Sequence, residues 1–192
     1  MRDLRPVLGA LVIAVTVCAG CSPASYPDRD AVATAHESWC QALAKAYGGG
    51  GAWEPLRACK SATPTASAPY LRGMARCFPS RKAGSDKDAG ILIAECKDEV
   101  TSKLTIDEAA VKEAVDARCA RAARCEQASV PECVAAAKKV DPFQRATLYG
   151  LYNAAAIHTI SECLRGSSCG SDENAAQEAC YKTPVDKLVW TP

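Results

Sequence analysis

The chain has 192 residues, and its 23 Lys and Arg nearly balance 22 Asp and Glu, for a formal net charge of +1. That balance excludes the basic footprint of a nucleic-acid binder, and no polybasic run marks a lipid-binding segment. With only two Phe and three Trp, and alanine abundant throughout, the core is thin. Each small side chain buries little area at roughly 25 cal/mol per Å2, so covalent bridges are expected to supply part of the stability.

Residues 1–6 carry Arg2 and Arg5, and an apolar run over 7–17 follows directly. A basic start before an apolar stretch of this length is the pattern of a secretory signal, shorter than the roughly 20 residues of a permanent membrane span. Small residues close it, Cys18-Ala19-Gly20, and Cys21-Ser22-Pro23 follow. Ala19, Gly20 and Cys21 resemble the lipobox of bacterial lipoproteins; Cys18 departs from it, standing where that motif prefers Leu. The resemblance implies removal of residues 1–20 as a signal peptide and lipid on Cys21, through a diacylglyceryl thioether and an amide-linked acyl chain. Two or more chains give stable anchoring to a membrane. Ser22 after the lipidated cysteine implies the outer membrane of the cell envelope. The alternative is an ordinary secretory peptide cut near Ala19, with Cys21 free or disulfide-bonded. On the lipobox reading residues 21–29 are a lipidated tether, and the shortened chain keeps 21 basic and 21 acidic side chains.

The pattern beyond the tether predicts an all-α fold of disulfide-stapled helical hairpins in two tandem related units, residues 30–104 and 105–183. In the first, Val32, Ala35, Trp39, Leu43 and Ala46 recur at helical spacing. The glycines at 48–51 break that helix, and another begins near Trp53. Residues 61–69, rich in Ser, Thr and Pro, read as a linker; Tyr70 to Phe78 starts the next hairpin, which turns over the polar residues 80–90 and returns through Leu92 and Cys96. In the second unit Thr105-Ile106-Asp107-Glu108 has the form of a capping box. It opens a helix with the stripe Val111, Val115, Cys119 and Ala122. A turn at 126–130 leads to Pro131 at the next helix start. Asp141-Pro142 then opens the longest segment, through Leu164. Between Ala146 and Ile157 only Asn153 is strongly polar, which predicts one buried core helix, with Gly150 marking a close helix contact. Residues 184–192, including Trp190, form a tail.

The two units align. Ala31, Val32, Ala35 and Cys40 match Ala110, Val111, Ala114 and Cys119 without a gap, and Cys59, Cys77 and Cys96 match Cys133, Cys163 and Cys180 in order. Beyond Cys21 there are ten cysteines, an even number in a chain marked for export, which predicts five disulfides. No C-x-x-C occurs among these ten, so the usual zinc and haem spacings are missing and no cofactor or metal is expected. Bonded residues across an antiparallel hairpin lie about equally far from its turn, which selects Cys40–Cys59, Cys77–Cys96, Cys119–Cys133 and Cys163–Cys180. Cys125 and Cys169 align with Ala46 and Ala83, so the pair unique to the second unit is expected to bond to itself. The rival map crosses the hairpins, as Cys40–Cys77 and Cys59–Cys96 with their equivalents.

Catalytic candidates are few. His36 lies on the helix face of Cys40 and is expected to pack there. His158 and Glu162 stand four residues apart, the spacing of an ion pair, and Thr159 and Ser161 beside them carry nothing that marks a nucleophile. The carboxylate pairs Asp98-Glu99 and Asp172-Glu173 are expected to cap helix ends. The expectation is therefore no enzyme and no catalytic residue, but a non-enzymatic envelope protein that binds the membrane through Cys21 and a protein partner of the envelope. In style the chain resembles the cysteine-rich, alanine-rich helical lipoproteins of Gram-negative bacteria, a resemblance that supplies no functional residues. The alternative is a carrier of small apolar ligands in a pocket of the second unit, lined by Phe143, Leu148, Leu151, Tyr152 and Ile157. Its disulfide order would be similar to that of insect odorant-binding proteins, though the spacings differ.

Overall fold

The computed structural model describes residues 26–48, 54–83, 85, 87–170 and 172–187. Among these the fold is all-α, with nine α-helices and no strand. The lipobox with Cys21, the glycines at 49–51, and Trp190 lie outside the described residues.

The first helix, α1 (Arg29–Ala46), buries the stripe Val32, Ala35, His36, Trp39, Cys40 and Leu43. It packs most extensively on α3 (Ala68–Lys82), which buries Tyr70, Leu71, Met74 and Phe78. The Trp39 and Phe78 rings meet edge to face at 5.9 Å. Two shorter helices flank this pair, α2 (Glu54–Ser61) against α1 and α4 (Ala89–Thr101) against α3. The second half repeats the order of contacts. There α5 (Glu108–Glu126) packs on α8 (Ala154–Gly166), α6 (Val130–Ala137) flanks α5, and α9 (Glu173–Asp186) flanks α8. Side-chain oxygens of Ser67, Asp88, Asp107, Asn153 and Asp172 cap α3, α4, α5, α8 and α9 by accepting backbone N–H bonds that the first turn leaves unmade.

Every cysteine among the described residues is bonded, as Cys40–Cys59, Cys77–Cys96, Cys119–Cys133, Cys125–Cys169 and Cys163–Cys180. Four are the pairs that hairpin symmetry selects, and the fifth joins the two cysteines unique to the second unit; the crossed map is not formed. Four bridges staple helices that neighbour one another in the chain, over separations of 14 to 19 residues. Cys125–Cys169 joins the end of α5 to the turn after α8 over 44 residues. In the chain-entropy model the short loops contribute about 3 kcal/mol each and the long one about 4. Where the second half has that bridge, the first places Tyr47, just past α1, at 6.1 Å from Phe78.

Three expectations are corrected. Residues 61–69 are no solvated linker: Ala66 and Ser67 are buried, and 63–67 runs extended along 150–153. Ser67 N–H donates to the Leu151 carbonyl at 2.7 Å, Asn153 N–H to Thr65 at 2.8 Å, and the Ser67 hydroxyl to Gly150 at 2.7 Å. The long second-unit helix is consequently broken. It runs as α7 (Pro142–Arg145), a π-helical turn over Ala146–Gly150, and α8, because the carbonyls of 150 and 151 bond the seam rather than a next turn. Gly150 marks no tight contact, since an added Cβ would sit at an ordinary 3.5 Å from Leu104. Finally, the cap of α5 is Asp107, whose carboxylate accepts the Ala109 N–H at 2.9 Å, and not Thr105. An aspartate one residue ahead of the helix is the better placed acceptor, and Glu108 instead reaches Arg145.

Candidate functional site

On the first half, α3 and the end of α4 enclose a hollow of about 550 Å3, lined among others by Arg72, Arg76, Ser80, Glu99, Lys103 and Thr105. Arg72, Arg76 and Ser80 follow one another at four-residue intervals, so α3 stacks them along one face. Gly73 lets the floor close. A Cβ there would stand 2.4 Å from Val100 Cγ1, so α4 approaches α3 more nearly than any other residue allows.

The acids near this hollow are already engaged. Glu99 accepts from Arg81 Nη2 and Lys103 Nζ, both at 2.8 Å. Those hydrogen bonds, Arg81 first, hold its carboxyl down at about 2. Glu95 is met by Arg81 at 3.0 Å and Lys87 at 2.6 Å. Glu99 therefore forms part of a charge network and not a helix cap, whereas Asp172 does cap α9. Arg72 and Arg76 are exposed and have no ion-pair partner among the described residues. Like charges four apart on a helix destabilise it by about 0.2–0.5 kcal/mol. Guanidinium groups so placed match a phosphate or carboxylate in bidentate fashion.

A second hollow of about 240 Å3 adjoins the first and shares Pro69, Arg72 and Thr105 with it; its wall includes Asp28, Asp107, Tyr149, Tyr152 and Ala154. Its acids are also spoken for, Asp28 accepting the Ala154 N–H at 3.0 Å and Asp107 capping α5. A third, of about 300 Å3, lies between α5 and α6 over Val111, Val115, Val134 and Ala137. The pairs Lys112–Asp116 and Arg145–Glu108 stand at its rim.

The other predicted residues are dispersed. Of the five proposed to line an apolar pocket, Tyr152 alone reaches one of these hollows. Leu151 and Ile157 belong to the filled core, Leu148 packs against it, and Phe143, on the four-residue α7, is 48% exposed. The break at 151–153 explains the separation, because the five residues no longer share the stripe of one helix. His158 pairs not with Glu162 but with Glu113 of α5, at 2.9 Å, since α5 and α8 pack together; Glu162 is met by Arg165. His36 is buried with Nε2 3.6 Å from Cys40 Sγ, and burial lowers its pKa. His36, Cys40 and Cys59 bring donor atoms within 4.8 Å of one another. As a disulfide the two sulfurs offer no thiolate, the form that ligates metal.

Residue patterns missed Arg121, which is 1% exposed. Its guanidinium donates to Ser167 Oγ at 2.9 Å, Glu126 Oε1 at 2.9 Å, and the Ser168 and Asp172 carbonyls at 3.4 Å. Arg124 beside it donates to the Arg165 and Ser167 carbonyls at 2.6 and 2.7 Å. Together they satisfy the end of α8, where the helix dipole favours cations.

In comparisons with known proteins, no family model, no curated protein and no solved structure matches this chain.

Proposed function

We propose that this is a lipid-anchored protein of the bacterial cell envelope, held to the outer membrane through Cys21, and that its disulfide-braced helical body is a binding module and not an enzyme. The observation that carries the reading is the use of all ten cysteines from Cys40 to Cys180 in five bridges. Bridges at this density form and persist in oxidising compartments outside the cytoplasm. They leave only Cys18 and Cys21, next to the apolar N-terminal run, and Ala19-Gly20-Cys21 there has the lipobox form. The histidines support a non-catalytic role: one is buried behind a disulfide and the other is tied to Glu113.

The body itself is a duplicated unit. The equal order of helix contacts supports this, as does the burial of Val32, Ala35 and Cys40 at the positions matched by Val111, Ala114 and Cys119.

Expression of the full chain and of Cys21→Ser in a Gram-negative host, with radiolabelled palmitate and envelope fractionation, tests the anchor. The parent chain takes up label and fractionates with the outer membrane; Cys21→Ser takes up none. An unlabelled parent chain, or a Cys21→Ser variant that still takes up label, overturns the assignment.

A further inference from the structure

We propose that the hollow carrying Arg72, Arg76 and Lys103 is a docking surface for the phosphate headgroups of an anionic lipid bilayer, laying the body against the membrane that anchors it. The inference deepens the anchoring proposal and rests on it.

Charge is the first argument. Removing the signal leaves a chain with equal numbers of acidic and basic side chains. Even so, the hollow gathers three cations against one carboxylate, and that carboxylate is shared by Arg81 and Lys103. Arg72 and Arg76 repel one another along α3, a cost that nothing among the described residues relieves and that an anion between them would. The sequence shows no basic run because these side chains come from the middle of α3 and from the residue pair after α4; the fold assembles the patch.

Position is the second argument, and it selects a bilayer over a free anion. Asp28, at the start of α1, lines the hollow that adjoins this one, and Arg72 belongs to both. Asp28 lies seven positions after Cys21, a reach of at most about 25 Å for extended chain. A lipid on Cys21 thus holds the Arg72 side of the body at the bilayer surface. There anionic headgroups attract each nearby basic residue with about fivefold in partition, over roughly one Debye length. The open hollow, at about 550 Å3, is of a size to admit a headgroup.

The test uses the mature chain without its lipid, residues 21–192 carrying Cys21→Ser, so that anchoring contributes nothing. Its failure then leaves the palmitate experiment untouched. Co-sedimentation is measured with vesicles of phosphatidylcholine alone and of phosphatidylcholine mixed with phosphatidylglycerol. The chain is expected to sediment only with the mixed vesicles, and less so as salt rises. Arg72→Gln/Arg76→Gln weakens partition on the order of 25-fold, the product of two fivefold losses. Both side chains are exposed, and an unchanged melting temperature verifies the fold. Lys138→Gln/Lys139→Gln, exposed positions at the end of α6, leaves partition as it was. Absence of sedimentation, or an arginine variant that sediments like the parent, overturns the proposal. So does an equal loss in both double variants, which would mean diffuse attraction. Binding of glycerol phosphate by calorimetry without vesicle binding overturns it in favour of a soluble-anion site.

Discussion

Arg121 is the residue on which sequence and environment disagree most. In α5 it follows Cys119 by two positions and reads as one cation among several, yet it is buried among acceptors from Ser167, Ser168 and Asp172, between α8 and α9, and from Glu126 at the end of its own helix. Glu126 is itself 41% exposed. The ion pair alone is therefore not what holds the guanidinium; its planar fork reaches a hydroxyl, a carboxylate and two carbonyls at once. Arg121→Ala removes these bonds and opens a void at a site that is 1% exposed, which together cost about 3 kcal/mol. In a chain of this size that lowers the melting temperature on the order of 10 °C. Arg121→Lys recovers little, because a single ammonium cannot span acceptors that a fork reaches. Thermal melts of both variants check this; a Lys variant as stable as the parent would show that charge, and not geometry, is what the site requires.

At the scale of the element, α1, α3 and α5 were legible because their apolar stripes have the helical period and their ends carry strong breakers or caps. The hairpin bridges were legible because bonded cysteines flank a turn evenly. The π-helical turn and the break before α8 were not. Leu151 and Tyr152 fit a helical stripe, and the one signal against it, Asn153, doubles as an N-cap only once Ser67 and Thr65 have taken the neighbouring backbone groups. The cationic hollow was hidden for a related reason, since Lys103 joins Arg72 and Arg76 only through the packing of α4 on α3. That packing hinges on Gly73. Alanine is the better helix former by about 1 kcal/mol, so propensity predicts that Gly73→Ala stabilises α3. Packing predicts the reverse, because the new Cβ would meet both γ-carbons of Val100, a β-branched side chain with little freedom to move. Overpacking costs typically 1–3 kcal/mol. Gly73→Ala is expected to lower stability, and Gly73→Ala with Val100→Ala to recover part of it, as read by denaturant melts with disulfides intact. A stabilised single variant would mean that α4 shifts without cost and that the hollow is not rigidly built.

For the whole molecule the decisive feature is the seam between residues 63–67 and 150–153, because it makes one core out of two stapled halves. Thr65 sits at its centre. Its carbonyl accepts from Asn153, its hydroxyl donates to the Pro184 carbonyl at 2.6 Å, and its N–H donates to Lys187 at 3.4 Å. Disulfides cannot do this work, since all five lie within one half or the other. Were the halves independent, guanidinium denaturation would show two transitions, each with the shallow slope of a small unit. With the seam in place the chain, carrying Trp53→Phe and Trp190→Phe so that fluorescence reports Trp39 in the first half, is expected to unfold in one transition followed identically by that fluorescence and by far-UV circular dichroism. Asn153→Ala is the sharpest probe, as its side chain accepts the Ala156 N–H at 2.8 Å to cap α8 and donates to the Pro64 carbonyl at 2.9 Å. Losing the cap costs about 1 kcal/mol, and losing the bond to the half-buried Pro64 carbonyl adds about 1 more. The mutation lies in the second half. Displacement of the fluorescence transition of Trp39 together with the circular dichroism, by the same denaturant concentration, is the behaviour of a shared core. A fluorescence transition that stays in place while helicity is lost earlier would mean that the halves fold separately and that the seam is only a contact between them.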